Sequence, residues 1–122
     1  MASTRLLYVV AAMAIIFELS SPVVGSLHEV MKRNVAKRWC IAYPGANLTH
    51  LQIDMGYICA TIDCSSIRPG GSCYEPNDIV SHASVVFNLY YKAHSSQPNA
   101  CYFGGDAMLF LSDPSSGTCI YP

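Results

Sequence analysis

Six cysteines that all follow an apolar leader constrain this chain more than any other feature of its sequence. They are Cys40, Cys59, Cys64, Cys73, Cys101 and Cys119. An even number of cysteines in a short exported chain is typical of disulfides, because thiols oxidise outside the cytosol. Zinc is the alternative, but the sequence has no Cys-x-x-Cys pair and its histidines lack the spacing of a zinc finger. We therefore predict three disulfides, no metal site and no cofactor.

Residues 1–25 have the three-part form of a secretory signal peptide. A short basic start precedes an apolar run from Leu6 to Phe17, and small residues follow near Gly25. The run is shorter than the roughly 20 residues that cross a bilayer, although an uncleaved membrane anchor is the alternative interpretation. We predict export, with residues 26–38 as a tether and residues 39–122 as one folded domain.

The size and charge of the exported part narrow its class further. A domain below about 100 residues buries too little surface to be stable on its core alone, so the disulfides help to decide whether it folds. Six cysteines allow 15 pairings, and the sequence alone does not choose among them. The formal net charge of the chain is −1 at pH 7, and its one basic cluster, Lys32 to Arg38, lies in the tether. We therefore expect no nucleic-acid partner.

Periodicity predicts two helices. Asn47 is a suitable N-cap, and Leu48, Leu51, Met55 and Ile58 recur behind it at helical spacing, which predicts a helix from Leu48 to about Ala60. Pro76-Asn77 predicts the start of a second helix that ends near His94. Its inner stripe is predicted to comprise Val80, Ala83, Phe87 and Tyr90, with Tyr91 rotated away from the core.

The last part of the chain is strand-like and punctuated by glycine. Ala107 to Leu111 and Thr118 to Tyr121 are predicted to pair as a hairpin across the turn formers of residues 113–117. Together the patterns predict an α+β fold: a small disulfide-rich module with two α-helices, a short antiparallel β-ribbon and long loops.

A series of short motifs also occurs in order along the domain. They are Trp39-Cys40-Ile41-Ala42, Leu51-Gln52, Tyr57-Ile58-Cys59, Asp63-Cys64, Pro69-Gly70-Gly71-Ser72-Cys73-Tyr74, Pro76-Asn77, His82-Ala83-Ser84, Phe87-Asn88-Leu89-Tyr90-Tyr91, Cys101, Phe103-Gly104-Gly105, Asp113-Pro114-Ser115-Ser116-Gly117 and Cys119. In this combination the chain resembles the X8 domain, also called carbohydrate-binding module family 43. The resemblance covers essentially the whole of residues 39–122, and all six cysteines fall in place.

The resemblance implies a fold and a function. It implies disulfides Cys40–Cys101, Cys59–Cys64 and Cys73–Cys119, and two helices packed at an angle with a small β-ribbon. It also implies a plant module that binds β-1,3-glucan, a callose-like cell-wall polysaccharide, either beside a glucanase domain or alone. The chain departs from the family pattern at Gly56, Arg68, Val85 and Tyr102, which bears on ligand preference more than on fold.

A neutral glucan is recognised by flat aromatic rings and by polar side chains that bond its hydroxyl groups. Residues next to glycine-rich turns, or rotated off the core stripe, are the best candidates for such contacts. The predicted glucan-binding residues are Arg68, Tyr74, Asn88, Tyr91, Tyr102, Phe103 and Asp106. His82 is instead predicted to be a buried hydrogen-bonding residue.

Catalysis is not expected, because a β/α-barrel glucanase needs about 250 residues. The alternative function is a secreted cysteine-rich module that binds another protein in defence or cell–cell communication, with the exposed aromatic rings as its interface. Asn47-Leu48-Thr49 is the sequon of a glycoprotein, with Asn47 as the acceptor. The sequence ends three residues after Cys119 without an apolar tail, so we expect no glycolipid anchor and a monomer secreted to the apoplast or cell wall.

Overall fold

The computed structural model describes residues 36–122, and residues 37–122 form one compact unit. The predicted signal peptide and nearly all of the predicted tether lie outside the described residues. Two strands and two helices make up the regular structure: β1 (Trp39–Ala42), α1 (Leu48–Cys59), α2 (Ile79–Ala93) and β2 (Ala107–Phe110). Short 3₁₀ turns occupy Ser65–Ile67, Pro98–Ala100 and Phe103–Gly105. The α+β class is therefore confirmed.

Three disulfides hold these elements and their loops together. Cys40 in β1 is bonded to Cys101, Cys59 at the end of α1 to Cys64, and Cys73 to Cys119. This is the pairing that the family resemblance implies. Two of the bonds join segments 61 and 46 residues apart in sequence, so they fix the long-range topology rather than a local turn.

The predicted hairpin is wrong, because β2 pairs with β1. The two strands are antiparallel, with Trp39 opposite Phe110 and Ala42 opposite Ala107. The tail does not form a second strand; its backbone contact is an isolated bridge between Ser116 and Cys119. The Cys40–Cys101 disulfide draws the chain before β2 to β1. The tail after β2 is fixed elsewhere by the Cys73–Cys119 disulfide. The segment nearest to β2 in sequence is therefore not its strand partner.

Helix α1 begins where its cap predicts. The side-chain oxygen of Asn47 accepts hydrogen bonds from the backbone N–H groups of Thr49 (2.9 Å) and His50 (3.2 Å), which satisfies two free donors of the first turn. Leu51 and Ile58 are buried in the core, whereas Leu48 at the first position is 53% exposed. The inner face of α1 is therefore narrower than its apolar spacing predicts.

Helix α2 begins at Ile79, one residue later than the predicted Asn77 cap implies. Asp78, rather than Asn77, is the N-cap, and its carboxylate accepts from the N–H of Ser81 at 2.7 Å and from the Ser81 hydroxyl at 2.9 Å. Asn77 is exposed and instead donates to the hydroxyl of Tyr74 at 2.9 Å. A carboxylate suits this place better because it also faces the positive end of the helix dipole.

The buried arc of α2 is wide, because the helix packs against both β1 and α1. Ala83, Phe87 and Tyr91 belong to the central core cluster. His82 is partly buried and bonds the carbonyl oxygen of Tyr74 through Nε2 at 2.7 Å, in agreement with its predicted role. Among residues 36–122, no helix combines the length and apolar character needed to cross a bilayer.

Candidate functional site

Two exposed tyrosines are anchored on either side of Asp106. Beyond the last strand pair, the N–H of Tyr43 donates to the carbonyl oxygen of Asp106 at 2.8 Å. The carbonyl oxygen of Tyr102 accepts from the N–H groups of Gly105 (3.0 Å) and Ala107 (3.2 Å). The side chain of Tyr43 is 50% exposed and that of Tyr102 is 65% exposed. The backbone thus holds two rings at the end of the ribbon while leaving them open to solvent.

Helix α1 adds a third tyrosine and two titratable side chains. His50, Asp54 and Tyr57 lie on one face of the helix, because positions four and seven residues apart are neighbours there. His50 Nδ1 lies 3.8 Å from Asp106 Oδ2, and the charge of Asp106 acts on the carboxyl group of Asp54. Tyr57 is 70% exposed. Tyr43, Tyr57 and Tyr102 are carried by the segments that meet at Asp106. We call these three side chains the tyrosine surface.

The carboxyl group of Asp54 is perturbed by its surroundings. Burial, the charge of Asp106 and the hydrogen bond to Asp106 raise the pKa of Asp54 above its ordinary value, and only the nearby His50 opposes them. Its Oδ2 atom is buried and has no hydrogen-bond donor among the described residues. A carboxylate oxygen in that position is poorly stabilised, whereas a protonated carboxyl can donate to Asp106.

The loop that carries Tyr102 is rigid for identifiable reasons. Cys101 immediately before it is disulfide-bonded to β1, and Phe103 after it stacks on Phe87 with ring centroids 4.5 Å apart. Phe103, Gly104 and Gly105 have φ values of 48°, 63° and 93°, a left-handed run that glycine adopts without strain. Phe103 is therefore held in an unfavourable backbone conformation by its stacked ring, and its side chain is half-buried.

Two of the predicted site residues are in the core, so their predicted exposure is wrong. Asn88 is 0% exposed; its Oδ1 accepts from the N–H of Cys40 at 3.1 Å and its Nδ2 donates to the carbonyl oxygen of Pro122 at 3.1 Å. Tyr91 is 3% exposed and belongs to the core cluster. A polymer on the surface does not reach either side chain. Both lie inward because α2 is covered on two sides rather than on one stripe.

The remaining predicted residues divide into two groups. Tyr102 belongs to the tyrosine surface and Asp106 lies where its segments meet, whereas the half-buried ring of Phe103 stacks on Phe87. Tyr74 is half-buried, stands 5.7 Å from the ring of His82 and accepts the hydrogen bond from Asn77. Arg68 is exposed and ends the Ser65–Ile67 turn. The roles of Tyr74 and Arg68 in glucan binding stay predictions.

A separate cleft of about 360 Å³ lies beside the first two turns of α2. Its lining includes Ile41, Val80, Val85, Pro114, Glu75 and Tyr121, and none of the seven predicted site residues. Burial raises the pKa of Tyr121 to about 12. The cleft is small and has a mixed polar and apolar lining that includes Ser81 and Ser84, so an extended polymer has less room there than on an exposed surface.

Sequence reasoning missed Tyr43, His50, Asp54 and Tyr57 as members of the site. Tyr43 follows β1, for which no partner strand was predicted. The other three required knowledge of which helix face meets the Tyr102–Asp106 loop. A usable signal was present for α1 alone. Tyr57 falls outside the predicted stripe of Leu48, Leu51, Met55 and Ile58, which predicts an exposed ring.

Residues 38–108 match the family model of the X8 domain. The chain belongs to the X8 domain family. The X8 domain is carbohydrate-binding module family 43, and the resemblance drawn from the motifs is thereby confirmed. The match includes Tyr43, Tyr57 and Tyr102, together with Asp54 and Asp106.

The X8 chain is similar to several plant proteins named as glucanases. It is 45% identical over 84 residues to a glucan endo-1,3-beta-glucosidase of Triticum aestivum, covering 69% of this chain and 18% of that protein. It is 40% identical over 85 residues to glucan endo-1,3-beta-glucosidase 7 of Arabidopsis thaliana, covering 69% and 17%. It is 40% identical over 88 residues to a glucan endo-1,3-beta-D-glucosidase of Olea europaea, covering 71% and 19%. The chain therefore spans less than a fifth of the length of these relatives, and the shared part is the X8 module.

Proposed function

We propose that this X8 protein is a secreted, non-catalytic module that binds β-1,3-glucan, a callose-like polysaccharide, on the tyrosine surface. The observation that carries the proposal is the exposure of Tyr43, Tyr57 and Tyr102 by 50%, 70% and 65% on segments that meet at Asp106. Pyranose rings present C–H faces that pack on aromatic rings, and phenol hydroxyls bond their hydroxyl groups. The names of the similar plant proteins support β-1,3-glucan as the polymer.

The geometry of the carboxyl groups supports binding rather than hydrolysis. Glycosidases hold two carboxyl groups about 5–9 Å apart, with the scissile bond between them. Asp54 Oδ2 is instead buried, and His50 Nδ1 lies 3.8 Å from Asp106 Oδ2, so this pair does not present two open carboxyl groups across a cleft. Secretion is supported by the three disulfides, which form and persist in oxidising compartments. We also propose Asn47 as a glycan acceptor, since its cap uses only Oδ1 and leaves Nδ2 available.

The test is co-sedimentation of the purified, disulfide-bonded protein with insoluble β-1,3-glucan. Tyr43→Ala and Tyr102→Ala are each expected to weaken binding about fivefold to thirtyfold, equivalent to about 1–2 kcal/mol for one aromatic contact. Ile120→Ala is the matched control, because Ile120 is 69% exposed and lies in the tail. Tyr74→Phe and Arg68→Gln test the two residues predicted from sequence alone.

Each outcome has a distinct meaning. Wild-type protein that stays in solution at every glucan concentration rejects glucan binding and favours the protein-partner alternative. Wild-type binding that survives both tyrosine substitutions, but is lost in Tyr74→Phe or Arg68→Gln, moves the site to the Arg68–Tyr74 segment. Equal losses in Ile120→Ala and the tyrosine variants point to general unfolding.

A further inference from the structure

We propose that a β-1,3-glucan bound at the tyrosine surface continues from Tyr57 onto the outer face of α1, where Gly56 lets the sugar chain lie directly against the helix backbone. The outer face of α1 comprises Ile53, Gly56 and Tyr57. The inference rests on the proposed function of the tyrosine surface and adds a position that determines which ligand fits. It requires a glycine that the fold itself does not need, exposed neighbours that hold a sugar, and a reason for a neutral occupant.

The fold gives no reason for a glycine at position 56. Gly56 is exposed within α1, and its φ is outside the left-handed region. A Cβ at this position would meet no atom within 4 Å apart from its chain neighbours and the local helix backbone. Every other glycine in residues 36–122 has either a positive φ or a neighbouring atom where a Cβ would lie. Because glycine is less favourable than alanine inside a helix, Gly56 destabilises α1 without a compensating contact.

The residues around Gly56 form an exposed surface without a formal charge. Gly56 lies about 200° around the helix from Ile58, which is buried, so position 56 faces solvent. Ile53 and Tyr57 are four positions apart and therefore neighbours on the helix, with 64% and 70% of their surface exposed. Asp54 is the only Asp, Glu, Lys or Arg among the 12 residues of α1, and its Oδ2 atom is buried. The outer face thus offers one aromatic ring, one aliphatic side chain and uncovered backbone.

A neutral sugar polymer is the occupant that matches this face. The face has no charge to pair with an ionic partner, and Tyr57 makes it continuous with the tyrosine surface. With no side chain at position 56, the C–H face of a pyranose approaches the helix backbone while it packs on the ring of Tyr57. Any longer side chain at this position holds the sugar away from the helix. Gly56 is therefore a specificity-determining position rather than a structural one.

The experiment compares stability with glucan binding in Gly56→Ala and Gly56→Met, using the purified, disulfide-bonded protein. Both substitutions should raise the midpoint of unfolding in guanidinium chloride by about 0.2–0.5 M, because alanine and methionine favour helix and the Cβ enters open space. Co-sedimentation with insoluble β-1,3-glucan should nevertheless show an affinity about threefold lower for the alanine variant and about tenfold lower for the methionine variant. Weaker binding by a more stable protein cannot come from unfolding.

Two further variants locate the effect on the helix. Ile53→Ala should weaken glucan binding about threefold. Leu111→Ala is the matched control and should bind within about twofold of the wild type, because Leu111 is 69% exposed and follows β2 at the end of the ribbon away from Tyr43. In the wild-type protein, titration with a soluble laminarioligosaccharide should shift the backbone amide signal of Gly56 together with that of Tyr57.

The outcomes separate this inference from the proposed function. Gly56 variants that bind glucan like the wild type, while Tyr43→Ala and Tyr102→Ala lose affinity, overturn the extension onto α1 and leave the proposed function standing. Wild-type protein that never sediments with glucan rejects the proposed function and the extension with it. Sedimentation velocity of the free protein tests the other occupant: a wild-type dimer that becomes a monomer in Gly56→Met overturns the extension, because a second copy then covers this face, and a monomer in both supports it.

Discussion

Replacement of Asn88 by alanine is expected to destabilise the domain by about 2–4 kcal/mol while leaving the tyrosine surface intact. The side chain is fully buried and bonds the N–H of Cys40 and the carbonyl oxygen of Pro122. Cys40 is also 0% exposed, so its N–H is left unsatisfied in the core, which costs about 1–3 kcal/mol. The bond to exposed Pro122 is replaced by water and contributes less, about 0.5–1.5 kcal/mol.

The isosteric change Asn88→Asp separates hydrogen bonding from packing. One carboxyl oxygen still accepts from Cys40, but the other faces the carbonyl oxygen of Pro122 without a hydrogen atom between them. Burial therefore raises the pKa of the introduced carboxyl. Its protonated form restores the bond to Pro122, so the stability of this variant should approach that of the wild type below the unfolded-state pKa and fall as the pH rises through the folded-state pKa.

The assay is equilibrium unfolding in guanidinium chloride with the disulfides intact. A loss of about 2–4 kcal/mol moves the midpoint by roughly 1–2 M for a domain of this size, with an unchanged slope. Asn99→Ala, at an exposed position, is the control and should change stability by less than about 0.5 kcal/mol. A stable Asn88→Ala variant that no longer binds β-1,3-glucan refutes the reasoning, because Asn88 would then be a sugar contact and not a core hydrogen-bonding group.

Two further sets of substitutions test the disulfide and the helix cap that support the structure around the site. Replacing Cys59 and Cys64 together by serine should cost about 2 kcal/mol, because their disulfide closes a loop with a sequence separation of only 5. The chain-entropy model gives about 4 kcal/mol for each of the two long-range disulfides. A loss in urea unfolding as large as that value contradicts the estimate for Cys59–Cys64. Asp78→Ala should remove the cap of α2 at a cost of about 1 kcal/mol near neutral pH. Hydrogen bonds from Ser81 lower the pKa of Asp78. The contribution of Asp78 to stability is therefore present above the unfolded-state pKa of 3.8 and is lost as the pH falls through the folded-state pKa. Thermal unfolding at several pH values should show the stabilities of the variant and the wild type converging in acid.

Signals that act within a few residues were sufficient to predict the helices. Asn47 caps α1 because its side chain reaches backbone groups two and three residues ahead, an interaction that the sequence contains in full. The same local logic placed the start of α2 within one residue. There it failed only in choosing between two adjacent caps, Asn77 and Asp78, since Asn77 is taken by Tyr74.

Strand pairing and helix burial depend instead on contacts that local patterns do not contain. Ala42 and Ala107 are opposite each other across the ribbon, although 64 positions of the chain lie between them. Which face of α2 is buried depends on β1 as well as α1, so Tyr91 turned out to be core although it lies off the predicted stripe. Tyr102, Phe103 and Asp106 were predicted because they are contiguous with a glycine pair. Tyr43 was missed because only the ribbon brings it to Asp106.

The exposure of three tyrosines is informative because so small a domain has strong reasons to bury them. A large apolar side chain contributes about 1.5–3 kcal/mol when it leaves water, and the core already depends on few large residues such as Phe87, Leu51 and Ile58. Each disulfide supplies a comparable amount, about 2–4 kcal/mol in the chain-entropy model. The cross-links therefore replace the stabilisation that burial of Tyr43, Tyr57 and Tyr102 would give. The rings stay on the surface at little loss of stability, and the same bonds keep the backbone beneath them rigid, as the proposed packing of a flat polymer face requires.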